Sequence, residues 1–522
     1  MDGLLEVVIL VAVAVLGVAL ARRLGMLAPI LLVVGGLALS FVPGFPEVHL
    51  EPEMVLVGIL PPLLYVAAIE TSVPAFRFNL RPILLLAVGL VIFTALVVGF
   101  VLHMLLPEVP LSLCIALGAV LAPPDAVAAT AIARRIGLPR RLVTILEGES
   151  LINDATALVL LRVATGAATG AAVGFLEIGR DIVIAAGGGI AVGAVGAVII
   201  GFLHKKITDP LLDTALSLLT PFLIVMVAEE IHSSGVVAVV VAGLYLGHRM
   251  PTLMSAASRL QSDAFWQLTR FLLEGLVFLL VGLQLRDIVR ELDTPWGEVA
   301  WITAAVIGTL IVTRFLWVFP STYVPRLIPR IRQRDPFPPV SHPIVVGWAG
   351  MRGVVTLAAA LALPATSEVE YPRDLFIWLA FAVIVVTLVL QGATLPAVAR
   401  RLRLPQDETT QDALAEASVQ NAASKAARDR LDELAGDGVP ERVLHKLRDL
   451  GEHRVNKAWE RLGGEGETPS RVYGRLRREM IDAERGVFRA ARDEGRIPEE
   501  VLRRAQRDLD LEETMLHRTV EE

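Results

Sequence analysis

Thirteen mostly apolar stretches, at 4–21, 27–43, 53–71, 82–103, 111–133, 142–163, 181–203, 211–230, 234–247, 266–285, 299–320, 342–363 and 375–398, fill most of this 522-residue chain. About 20 such residues cross the ~30 Å hydrocarbon layer of a bilayer as a helix, which satisfies its own backbone polar groups without water. The pattern predicts an all-α polytopic membrane protein with 13 transmembrane helices, and a hydrophobic fraction of 54% agrees with that class. The one cysteine, Cys114, excludes an intrachain disulfide and a cysteine-rich metal site. The first stretch, "LLEVVILVAVAVLGVAL", has acidic residues before it and Arg22 and Arg23 after it, the reverse of a signal peptide, so it reads as a retained helix.

Lys and Arg accumulate in cytoplasmic loops. Connections taken alternately from the first hold 19 of them, from Arg22 to Arg403, whereas the intervening ones hold 4 and include the acidic "PGFPEVHLEPE". A missed helix would scramble that alternation. The expected topology therefore has the N-terminus outside and the C-terminus in the cytoplasm. Residues 404–522 carry 27 acidic and 21 basic side chains against 27 of each in 1–403, so the net charge of −6 belongs to the tail. A transmembrane domain at 1–403 and a cytoplasmic tail domain at 404–522 are expected. The tail stretches "QNAASKAARDRLDELA", "ERVLHKLRDLGEHRVNKAWERL" and "PSRVYGRLRREMIDAERGVFRAARDEGRIPEEVLRRAQRDLDLEETMLH" have helical periodicity, with breaks at "GDGVP" and "GGEGETPS". They predict a small soluble α-helical bundle, either a stability or dimer-contact module or a regulator whose partner is unknown.

Segment five is interrupted by "LAPPDAVAA" and segment twelve by "GWAGMRGVV". Helices one to six and eight to thirteen, joined by the seventh, would form two inverted six-helix repeats with both breaks at the fifth place. Paired interruptions mark the binding site of a transporter, because the ends of half-helices carry partial charge at mid-membrane.

Charges inside a span cost at least ~2.5–3.5 kcal/mol each, so they persist where they are paired or functional. "EGESLINDATALVLL" in segment six puts Ser150 and Asp154 on one helical face and Glu149 and Asn153 on the next. Asp154 and Ser150 offer oxygen ligands for a small hard cation. Asn153 cannot ionise, so the pair supplies one titrating group. Glu147 reads as a solvated helix-end charge. Arg314 lies 12 residues, or ~18 Å along a helix, before Arg326. It needs a buried anion, and Glu149 is the natural one. Asp125 and Arg352, at the two breaks, would offset exposed helix ends. His103 sits at an outer helix end as an interfacial residue, and the runs "TGAATGAAVG" and "AAGGGIAVGAVG" have the spacing of close helix packing. No nucleotide, zinc or nucleophile-elbow motif occurs in its required context, so neither an enzyme nor a nucleic-acid binder is expected, and no cofactor.

"EGESLINDATALV" resembles the signature helix of the NhaP/NHE-type monovalent cation:proton antiporters. "LAPPDAVAATAI", "LVFLLVGLQL", "TRFLWVFP" and "WAGMRGVVTLAAALALP" follow in that family's order across residues 1–403. The resemblance is to the bacterial form with a cytoplasmic tail. It implies 13 helices, a homodimer, an elevator-like core with crossed broken helices, and electroneutral exchange. By position it makes Asp154 the ion-binding residue, with Ser150 assisting as a ligand to the transported monovalent cation. Asn153, Glu149 and Arg314 would form the polar network beside it, with Asp125 and Arg352 at the crossing. Two positions depart from the family pattern. Pro124 precedes Asp125 where many relatives have threonine, and Val66 stands where archaeal relatives often have glutamate, with Glu70 one turn later.

The expected function is exchange of Na⁺ (or Li⁺) for H⁺ across the plasma membrane, with K⁺/H⁺ exchange and a regulatory tail as the alternative. A cation channel and a membrane sensor are the rivals. A channel repeats its acidic ring by symmetry, which a single Asp154 does not, and the tail lacks catalytic motifs through which a sensor could signal. Membrane lipid, monovalent cations and protons are the expected partners.

Overall fold

The computed structural model describes residues 2–43, 51–168, 175–363, 371–404, 408–435, 439–460 and 468–521. Every element among them is helical. The chain divides into two compact units, Met1–Leu404 and Pro405–Glu522.

In the first unit all thirteen apolar stretches carry helix. Nine helices among the described residues are long and apolar enough to cross a bilayer. Segments two (Ala28–Leu39) and three (Met54–Glu70) are shorter. Segments five (Leu111–Leu121 and Ala126–Arg135) and twelve (Ser341–Trp348 and Val354–Leu361) are broken where the sequence is interrupted. Segment ten begins at Ala256, ten residues before its apolar core, because Ser255 caps it by accepting from the Ser258 N–H at 3.1 Å. Segments three and four each contain a π-helical turn, Met54–Ile59 and Leu85–Leu90. The first leads directly into Pro61 and Pro62, which have no N–H to donate, and the Leu60 N–H bonds five residues back to Val55.

Segments seven and eight expose rows such as Val195, Val198, Ile199 and Phe202, and Leu219, Leu223, Met226 and Val227. Such rows are unfavourable in water and suited to lipid. The glycine run in segment seven packs as its spacing predicts, since a Cβ on Gly193 would enter the Ala238 backbone of segment nine. Most of "TGAATGAAVG" and "PGFPEVHLEPE" lies outside the described residues. His103 has its Nδ1 2.9 Å from the Val109 carbonyl and so secures the turn at its helix end. The eleventh connection, expected as a basic loop, is ordered instead. It forms Val324–Leu327 and Pro329–Arg334, and Arg326 is buried against Asp335.

The second unit consists of Glu408–Leu434, Glu441–Glu460, Pro469–Asp493 and Glu499–Glu521, packed first on second and third on fourth. The breaks "GDGVP" and "GGEGETPS" fall largely outside the described residues. The long third stretch is two helices rather than one. Gly495 turns at φ +70, a backbone state that glycine adopts without strain, and Pro498 cannot continue the preceding helix. Arg477 ties the two together, bonding Glu484 at 2.7 Å and Glu512 at 2.6 and 2.8 Å. The Arg477 hydrogen bonds hold the Glu512 carboxyl below the usual carboxylate range. This stabilisation is complete above the free value of ~4.3 and disappears as pH falls through the lower folded value. The thermal stability of the tail should therefore fall on acidification below about pH 4, and less steeply in Glu512→Gln.

Candidate functional site

The first break follows from Pro123 and Pro124, which have no N–H to give to the carbonyls one turn earlier, so Leu111–Leu121 ends with open acceptors. Arg352, 1% exposed, supplies the donors: its Nε lies 3.1 Å from the Leu121 carbonyl and its Nη2 3.4 Å from that of Ala122. At the second break Arg314, 2% exposed, does the same for Ser341–Trp348, with Nε 3.1 Å from the Val346 carbonyl and Nη2 3.4 Å from that of Ala349. Each interrupted helix thus ends against a guanidinium, the charge that the negative end of a helix dipole favours.

Asp125 occupies the opposite polarity. Its N–H donates to the Met351 carbonyl at 2.7 Å, which joins the two breaks. Its carboxylate lies against Gly353, the residue preceding Val354–Leu361, so close that a Cβ there would fall 2.7 Å from Asp125 Oδ2. Asp125 also immediately precedes Ala126–Arg135. Its negative charge therefore sits at the positive ends of both second half-helices. Gly353→Ala should lower exchange far more than it lowers the unfolding temperature, because it displaces this carboxylate and little else; equal losses in flux and stability would show that the glycine matters only for packing.

Segment six, Arg140–Ala168, places its two polar columns in different surroundings. Glu149, 1% exposed, accepts from Arg314 Nη1 at 2.7 Å and Nη2 at 2.9 Å, a bidentate pair that supplies the anion Arg314 requires. Asn153 donates its Nδ2 to the Pro124 carbonyl at 2.7 Å, and its buried Oδ1 has no hydrogen-bond partner among the described residues. This column locks segment six onto both breaks.

The other column opens onto a cavity of about 680 Å³ bounded by segments one, two, three, five, six, ten and twelve. Asp154, Ser150 and Asp125 line it, and so does Glu147, which is half-buried there rather than a solvated helix end. Sequence reasoning did not identify Thr130, Thr356, Arg270 or Glu274 on its walls. Arg270 grips Glu70 at 2.7 and 2.5 Å and stands 4.0 Å from Glu274, four residues on in the same span. That i,i+4 charge pair inside "RFLLEGLVFLL" was the available signal. Among the described residues no three His, Cys, Asp or Glu side chains converge to cage a metal ion. The wall carries separate carboxylates instead, with Asp154 one helical turn from the Ser150 hydroxyl.

Residues 9–401 match the family described as sodium/hydrogen exchanger, transmembrane. The chain is 37% identical to an uncharacterized Na⁺/H⁺ exchanger of Mycobacterium tuberculosis over 98% of its own length and 96% of the relative's. It is 33% identical to a sodium, potassium, lithium and rubidium/H⁺ antiporter of Bacillus pumilus, over 72% of this chain and 58% of that one. Its fold resembles that of the sodium proton antiporter of Methanocaldococcus jannaschii, with TM-score 0.60 and 18% identity over 77% of this chain and 99% of the other. The chain belongs to the sodium/hydrogen exchanger family, and is a multi-pass membrane antiporter of cations and protons rather than an enzyme.

Proposed function

We propose that the protein exchanges Na⁺ for H⁺ one for one, with the proton and the cation competing for Asp154. The observation that carries this reading is the division of labour on segment six. Glu149 is committed to Arg314, Asn153 holds the first break, and Asp154 with Ser150 faces the cavity. Asp154 loses a proton and takes Na⁺, with Ser150 as a further oxygen ligand. The loaded site moves across the barrier and reverses the exchange on the other side. Asp125 and Arg352 keep the crossing polarised, and Glu149 and Arg314 keep segments six, eleven and twelve together.

Both loads carry one positive charge, so a cycle through a single carboxylate moves no net charge. In Na⁺-loaded proteoliposomes at fixed ΔpH, an imposed membrane potential should leave the exchange rate nearly unchanged. A current that scales with Na⁺ would instead require a second titrating site. K⁺ is the second reading, motivated by the Bacillus relative's name and by Pro124 and Val66 in place of oxygen-bearing side chains. Comparing Na⁺, Li⁺ and K⁺ in the same vesicles decides it.

The protein is read as a homodimer in the plasma membrane with thirteen crossings, the N-terminus outside, and residues 404–522 as a cytoplasmic domain. Supporting the topology, Arg81, Arg141 and Arg326, from the beginnings of segments four and six and from the eleventh connection, meet at Asp335, as alternate connections on one membrane face would.

A further inference from the structure

That meeting point lies away from the cavity and has no part in the exchange cycle above. Arg81 Nη2 and Arg326 Nη2 each donate to Asp335 Oδ2 at 2.6 Å, and Arg141 Nη2 donates to Oδ1 at 2.8 Å. Burial pushes the Asp335 carboxyl up, but hydrogen bonds from Arg141 and Arg326 outweigh it and hold it below the usual carboxylate range. The cluster's single negative charge is thus already in use, and three guanidiniums exceed it by two positive charges.

The donors are also in excess. Arg326 is 4% exposed, and among the described residues its Nε and that of Arg81 are buried without any acceptor. An ionised donor left unpaired away from water costs more than a neutral one. At Arg326 a cavity of about 50 Å³ is lined by Arg141, Arg326, Ser321, Thr322 and His342 together with apolar residues such as Leu86 and Val318. A single water needs ~10–15 Å³ by this measure, so the space holds more than one. Excess guanidinium charge, orphaned N–H donors, a hydroxyl rim and an apolar wall at the ends of membrane helices call for an oxyanion with several acceptor oxygens. Guanidinium forks match phosphate in this way.

We propose that the Arg81–Arg141–Arg326 cluster is a binding site for a phosphate group of the kind an anionic phospholipid head group presents. Asp335 keeps the arginines gathered when the site is empty. A bound phosphate adds a second tie between segments six and eleven, eight residues or ~12 Å along segment six from the Glu149–Arg314 pair.

The test uses the full chain in nanodiscs of phosphatidylcholine with and without phosphatidylglycerol, and in detergent with inorganic phosphate against chloride at matched ionic strength. Thermal unfolding is read in each. Phosphatidylglycerol should raise the wild-type midpoint by several degrees. Arg326→Gln and Arg141→Gln should lose that increment, and Asp335→Asn, which leaves a third charge uncompensated, should keep or enlarge it. Arg141 is the more exposed of the two arginines, so its variant carries the test if Arg326→Gln fails to fold. An increment reproduced by inorganic phosphate makes free phosphate a ligand as well, whereas one confined to the lipid arm assigns the site to head groups. No increment in either arm, or one that both arginine variants retain, overturns the proposal.

Discussion

Asp154→Asn should reduce saturable Na⁺/H⁺ exchange to the level of protein-free vesicles while the variant folds and purifies as the wild type does. The substitution keeps the shape of the side chain and removes the carboxylate that lies one helical turn beyond Ser150 on the cavity face of segment six. Among the described residues Asp154 makes no hydrogen bond of the fold, in contrast to Glu149 and Asn153 on the neighbouring face. Function and stability therefore separate at this residue. Substantial exchange by a folded Asp154→Asn protein would move the binding role to another wall of the cavity, where Glu274, Glu70 and Asp125 are the available carboxylates.

The second large effect is on stability. Glu149 and Arg314 are a bidentate pair with both side chains almost wholly buried. Removing one partner of such a pair leaves an uncompensated charge and typically costs about 3–5 kcal/mol, whereas removing both can be nearly neutral. Glu149→Gln and Arg314→Met should each lower the unfolding temperature more than the double variant does. Arg314 also holds the Val346 and Ala349 carbonyls, so its single variant should be the worse of the two and the double variant should not recover fully. Strictly additive losses would mean that the pair contributes nothing beyond its separate contacts.

Much of this arrangement is legible in the sequence. A polar patch of period 3.6 inside an apolar run specifies two faces of a helix, an arginine deep in a span demands an anion, and Pro-Pro or Gly-rich interruptions mark where a span must open. What the sequence did not reveal are contacts between segments far apart in the chain. Nothing in "GWAGMRGVV" says that Arg352 will cap carbonyls 230 residues earlier, because the requirement arises at Leu121 and Ala122 and can be met from any neighbouring helix. Asp335 is similar: in sequence it is one acid after a run of arginines, and its partners Arg81 and Arg141 come from two other connections. The π-turns within segments three and four depend on how a local register shift is absorbed, which hydrophobic periodicity averages out. The division of the tail's third stretch was available in Gly495 and Pro498, and the regular apolar spacing on either side masked it.

The central claim is that a proton and a cation compete for one carboxylate. It is tested most directly by measuring initial rates of Na⁺-driven proton movement in proteoliposomes over a series of pH values on the Na⁺ side. Competition at Asp154 predicts that the apparent KM for Na⁺ rises as pH falls, approaching a tenfold change per unit, while the maximal rate at saturating Na⁺ stays constant. A maximal rate that falls with pH at unchanged KM would contradict it, because proton and cation would then be binding at separate places.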